Sequence, residues 1–77
     1  MNREEFKKII ESIGFETNDR NYVYIYKKIR IDLFFIDHYD FFNGSEWTLC
    51  IPFNDLTQLE KYFKKELRSF KLKGLLG

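Results

Sequence analysis

The first apolar pattern along the chain is helical. Phe6, Ile9, Ile10 and Ile13 recur at spacings of three and four, which places them on one face and predicts a helix over residues 3–13. Asn2 stands where an N-cap belongs, and Glu5, three residues on, completes a capping box. At the other end Gly14 supplies a left-handed stop, with Phe15 folding back onto Ile10. Thr17-Asn18-Asp19-Arg20-Asn21 then reads as a turn, because Asn and Asp side chains bond their neighbouring backbone.

From Tyr22 to Asp37 the chain is rich in aromatic and β-branched residues and free of Gly and Pro. It is too long for one ordinary strand of about five or six residues. Two strands are expected, over residues 21–27 and 29–36, reversing at Lys27-Lys28. Lys-Lys is unusual hairpin chemistry, so a single long bent strand with residues 15–17 as a short partner is the alternative. Asn43-Gly44-Ser45 is the strongest hairpin signal and introduces a third strand over residues 46–51, which Pro52 ends. Asn54 or Asp55 then caps a second helix over residues 55–72, with Leu56, Leu59, Phe63, Leu67 and Phe70 as its apolar face. Gly74 stops it, leaving residues 74–77 as a short tail. The expected fold is α+β: one small domain over residues 1–77 in the order α-β-β-β-α, an antiparallel sheet with two helices packed on one face.

This element order resembles the double-stranded RNA-binding fold and the small toxin ribonucleases of the HicA type. The likeness covers most of the chain, in element order alone. HicA-type proteins carry a Gly-Ser-His-type catalytic motif on the first strand. At that place this chain reads Asp19-Arg20-Asn21-Tyr22-Val23-Tyr24, with no histidine, so the resemblance implies a fold and no activity.

Composition narrows the class further. A chain of 77 residues buries only about 60% of its unfolded surface, so its stability rests on a well-packed core. Nine Phe, five Tyr and one Trp supply the apolar area. One Cys excludes an internal disulfide and suits a reducing cytoplasm, the expected location. No apolar run approaches the roughly 18 residues of a spanning helix, and the charged N-terminus lacks the apolar stretch of a signal peptide. With no Ala and a single Val, the residue choice is that of AT-rich coding, which points to a bacterial, phage or mobile-element genome.

The net charge of +1 hides a segregation. Residues 31–55 carry Asp32, Asp37, Asp40, Glu46 and Asp55 with no Lys or Arg. Residues 56–77 carry Lys61, Lys64, Lys65, Arg68, Lys71 and Lys73 against Glu60 and Glu66. Within the acidic segment Tyr39, Phe41, Phe42 and Trp47 add more rings than one small core readily hides. The first functional expectation is therefore a non-enzymatic protein-binding module, a phage or mobile-element inhibitor or adaptor of a nucleic-acid-handling host protein. In it Phe41, Phe42 and Trp47 anchor the partner, and Asp37, Asp40 and Glu46 meet its basic surface. The alternative is RNA or DNA binding. Tyr22, Tyr24 and Tyr26 would share one strand face as a stacking platform, with Lys27, Lys28, Arg30, Lys61, Lys64, Lys65 and Arg68 taking phosphates.

Catalytic and metal chemistry has little to start from. His38 could act as a base oriented by Asp37, but neighbouring strand residues point to opposite faces, so the two need not meet. A metal site would draw on His38, Asp37, Asp40 and Glu46; one His falls short of the usual zinc set. Cys50 could pair with His38, yet it lies between Leu49 and Ile51 and is expected to be a buried hydrophobe. No catalytic residue, metal or cofactor is expected. A free strand edge in so small a sheet could pair two copies of the chain.

Overall fold

The computed structural model describes residues 1–17 and 22–72, with side chains up to residue 68. Residues 18–21 of the expected 17–21 turn, the Gly74 stop, the 74–77 tail and the side chains of Phe70, Lys71 and Lys73 lie outside the described residues, and Thr17 itself belongs to a strand.

Helix α1, Arg3–Ile13, forms where its apolar stripe predicts, and Phe6, Ile9, Ile10 and Ile13 are all buried. Both halves of the capping box are present: the Asn2 side chain accepts from the Glu5 amide at 2.9 Å, and Glu5 accepts from the Asn2 amide at 3.4 Å. Gly14 ends the helix at φ 131°, and the Phe15 amide donates back to the Ile10 carbonyl at 3.0 Å.

The sheet has five strands in the order β1-β2-β3-β4-β5, every pair antiparallel: β1 Glu16–Thr17, β2 Val23–Tyr26, β3 Ile29–Asp32, β4 His38–Phe42 and β5 Trp47–Pro52. The α+β class and the single sheet are as expected, but two strands join the expected three. Glu16–Thr17 pairs with Ile25 and Tyr24, and His38–Phe42 fills the stretch before the Asn43 turn. Both carry weak signals: the first is only two residues long, and the second mixes His and Asp with its rings. The meander also departs from the three-stranded order that the family resemblance implies.

Lys27-Lys28 does make the β2–β3 reversal, with Tyr26 opposite Ile29. Lys27 sits at φ 56°, a conformation that normally selects Gly or Asn. β3 stops at Asp32 rather than continuing to 36, and residues 33–37 cross to β4 as a loop. The Asn43 side chain accepts from the amides of Ser45 and Glu46, both at 2.8 Å, closing the β4–β5 hairpin.

The second helical segment is divided. α2, Thr57–Tyr62, and α3, Lys64–Leu72, meet at Phe63, whose φ of −131° leaves the helical region. Hydrogen bonds still cross the break, from the Phe63 amide to Leu59 and from the Leu67 amide to Phe63. The Asp55 carboxylate caps the start, taking the Thr57 amide at 3.1 Å and its hydroxyl at 2.7 Å. These donors hold the Asp55 carboxyl below its ordinary range, the hydroxyl contributing most.

All three helices serve one face of the sheet. Phe6 from α1 lies on Tyr39 of β4 with ring centroids 4.3 Å apart, and Phe53 packs beside both. Phe63 meets Phe15 and Tyr26, and Leu59 and Leu67 complete the cluster. Among the described residues no charged side chain is buried, and no helix is long and apolar enough to cross a membrane.

Two predictions follow from this packing. A Cβ at Gly14 would stand 3.0 Å from Tyr26 Cε1 on a backbone that L-residues avoid. Gly14→Ala should therefore cost about 1–2 kcal/mol, read as a fall in Tm of roughly 4–8 °C per kcal/mol. The Tyr39 phenol is fully buried and donates to the Asp55 carbonyl at 2.6 Å, and burial, reinforced by Asp55, pushes its pKa far above the ordinary value. Burial, aided by Glu11, raises the Tyr24 phenol as well. Above about pH 10 the unfolded chain loses phenolic protons that the folded chain keeps, so stability falls as pH rises. Alkaline denaturation followed by circular dichroism should show that loss, and Tyr39→Phe should flatten it while costing about 1 kcal/mol at neutral pH.

Candidate functional site

Strand alternation decides which side chains reach the uncovered face. On β4, Tyr39 and Phe41 point into the core and His38, Asp40 and Phe42 point out. Cross-strand register adds Arg30 opposite Phe42, Asp32 opposite Asp40, Trp47 opposite Phe42 and Ile25 opposite Arg30. The outer face of the sheet thus carries an aromatic end and a polar end.

At the aromatic end Phe42 and Trp47 pack with centroids 5.2 Å apart, and the Arg30 guanidinium lies 5.5 Å from the Trp47 ring centre. Arg30 also binds Asp32 at 2.8 Å, so part of its charge is already matched on this face. Beyond the polar end the 33–37 loop presents Phe34, Phe35 and Ile36, with Ile36 80% and Phe34 62% exposed. Their rings form a chain: Tyr22 against Phe34, Phe34 against Phe35, and Phe35 stacked on His38 at 4.4 Å.

A β-bulge organises the polar end. Tyr39 pairs with Ile51 and Phe41 with Thr48, so Leu49 and Cys50 together stand opposite Asp40. Cys50 takes φ 58°, a left-handed conformation usually left to glycine, and its amide donates to Asp40 Oδ1 at 3.0 Å. The result brings one donor atom each from His38, Asp40 and Cys50 within 4.8 Å of one another. Asp37 Oδ1 lies 2.7 Å from His38 Nδ1, despite the two being strand neighbours, because Asp37 belongs to the loop and escapes the strict alternation.

The residues singled out in the sequence are distributed as follows. Phe42 and Trp47 come together on the open face, with Asp40 beside them on β4 and Asp37 and Glu46 exposed at the flanking loops. Phe41 is wholly buried and belongs to the core, so it is no anchor. The tyrosine stripe lies on the covered face: Tyr24 is buried, and Tyr22 and Tyr26 pack against the core. Its rings face the helices, where they cannot serve as an open platform. Lys27 and Lys28 sit at the exposed turn, and Lys61, Lys64, Lys65 and Arg68 on the outer side of α2 and α3. Lys61, Lys64 and Arg68 do line one shallow depression with Thr57, Glu60 and Leu67. Cys50 is exposed, against the expectation of a buried thiol, because the bulge rotates it out of the strand pattern.

The sequence reading missed Phe34, Phe35 and Ile36 as surface residues. A signal was available: Leu33-Phe34-Phe35-Ile36 is a run of four apolar residues, and a sheet covered on one side cannot bury every member of such a run. Only Leu33 is buried, its amide donating to the Tyr22 carbonyl at 2.7 Å. No known protein family, curated protein or solved structure matches the chain.

Truncation should separate the two sets of rings. Phe41→Ala should cost about 3–5 kcal/mol and abolish cooperative unfolding in so small a domain. Trp47, 43% exposed, should tolerate Ala with a loss nearer 1 kcal/mol, both read by urea titration.

Proposed function

We propose that the chain is a small non-enzymatic protein-binding module that seats its open sheet face and the adjoining 33–37 loop on a basic partner surface. The observation that carries this reading is the number of exposed large apolar side chains that share the open face and its adjoining loop with carboxylates. Phe34, Phe35, Ile36, Trp47, Leu49 and Ile25 are all exposed in a domain of 77 residues, and Asp37, Asp40 and Glu46 lie among or beside them. Apolar groups rimmed by charge fit association, the rings supplying anchors and the carboxylates steering a cationic partner. A nucleic-acid-handling host protein is the partner class that suits such a face, with the chain acting as its phage or mobile-element inhibitor or adaptor. Acidic groups can occupy a surface built for phosphates.

The β5 edge favours face-on docking over strand pairing. The bulge at Cys50 and the missing amide of Pro52 interrupt its free hydrogen-bonding row. A second reading, nucleic-acid contact through α2 and α3, is supported by Lys61, Lys64 and Arg68 around one depression. It draws nothing from the tyrosines.

Trp47 is the single tryptophan and reports on the face directly. Proteins captured on the immobilised chain from host extract are purified and titrated against it. A true partner should blue-shift Trp47 emission and lose at least tenfold in affinity with Trp47→Ala or Ile36→Asp, while Lys61→Ala/Lys64→Ala binds as wild type. Binding unaffected by the face variants would overturn the reading. Salt-sensitive binding of RNA or DNA, lost in Lys61→Ala/Lys64→Ala, would put the second reading in its place.

A further inference from the structure

We propose that His38, Asp40 and Cys50 form a zinc site at the β4–β5 bulge, with Asp37 as the group that orients the histidine. The inference goes beyond the protein-binding reading and does not depend on it. Three donors of different chemistry converge: an imidazole and a carboxylate from β4 and a thiol from β5, all within 4.8 Å. Zinc binds such ligands at about 2.0–2.3 Å in tetrahedral array, which sets the donors roughly 3.3–3.8 Å apart. Rotation of surface side chains by about an ångström closes that difference, and two of the three are already fixed to each other through the Cys50 amide and Asp40 Oδ1.

The surroundings favour a cation over a bare reactive thiolate. A nucleophilic cysteine needs an electropositive setting. Here the thiol stands beside Asp40, with Asp37 on the same histidine, and residues 31–55 contain no Lys or Arg. Arg30, the guanidinium on this face, is bound to Asp32. The Asp40 carboxylate and the Cys50 thiolate repel one another when both are ionised, and a positive ion between them removes that repulsion. The mixed sulfur, nitrogen and oxygen set selects zinc over calcium or magnesium, which take oxygen donors.

Asp37 completes the arrangement. It holds His38 Nδ1 at 2.7 Å, leaving Nε2 as the coordinating nitrogen, in the carboxylate–histidine–metal relation common to zinc centres. Phe35, stacked on the imidazole with centroids 4.4 Å apart, restrains the plane of the ring. Three protein ligands and an exposed cysteine leave the fourth position to water. On binding, the Cys50 thiol gives its proton to solvent and its sulfur lone pair to the metal.

The test uses the reduced full-length chain and Co²⁺ as a spectroscopic stand-in, followed by displacement with Zn²⁺. A thiolate-to-cobalt charge-transfer band with tetrahedral d–d absorption is expected, bleached by stoichiometric zinc. Cys50→Ser should remove the charge-transfer band. Asp40→Asn, which keeps an oxygen to accept the Cys50 amide, should weaken zinc binding at least tenfold. Asp37→Asn should weaken it about tenfold through the histidine, and Glu46→Gln should leave it unchanged. Zinc should also slow alkylation of Cys50, the only thiol, at least tenfold. Cobalt bound without a thiolate band, zinc affinity unchanged in Cys50→Ser or Asp40→Asn, or alkylation indifferent to zinc would each overturn the proposal.

Discussion

The contact of Phe6 with Tyr39 joins the two layers of this fold. With centroids 4.3 Å apart and Phe53 against both rings, it pins α1 to the middle of β4. The Tyr39 hydroxyl then reaches the Asp55 carbonyl at the entry to α2, so one side chain ties the first helix, the sheet and the C-terminal helices together. A chain of 77 residues has material for one such core, and all three helices are committed to it. Among the described residues no helix covers the other side of the sheet, and both functional proposals arise from that one-sidedness.

What occupies the open face follows from strand alternation. Inward Tyr39 and Phe41 require outward His38, Asp40 and Phe42, and the neighbouring strands fall into line through the register. The face is therefore mixed: an aromatic pair under Arg30 at one end, and a polar cluster next to an exposed apolar loop at the other. Among the described residues the bulge on β5 is the one irregularity in strand pairing, and it does two things. It turns the Cys50 thiol toward Asp40 and His38, and with Pro52 it blunts the free edge of the sheet.

The candidate surface was legible in the sequence only where local rules govern. The acidic, cation-free stretch and its rings were visible, and Phe42 and Trp47 do meet at the surface. Phe41, one residue away, lies in the core, because adjacent strand residues face opposite ways and the phase of β4 was not available without its partners. The same missing phase put the tyrosine stripe on the wrong side. Period two groups Tyr22, Tyr24 and Tyr26 correctly, but which side of the sheet the helices cover is settled only by assembly.

By itself the sequence determined the elements with local codes: α1 with its capping box and Gly14 stop, the Asn43 hairpin and the apolar face of the C-terminal helices, while the Lys27-Lys28 reversal was one of two readings that pairing decided. Those rest on spacings of a few residues and hydrogen bonds between near neighbours. The two-residue β1, the strand identity of His38–Phe42, the break at Phe63 and the bulge at Cys50 were decided by the tertiary structure. Each depends on a partner distant in sequence. A two-residue strand exists only as the mate of β2, and a bulge is a mismatch of length between two paired strands. The meeting of His38 and Asp40 with Cys50 is of that kind: no spacing in the chain announces it, and pairing β4 with β5 creates it.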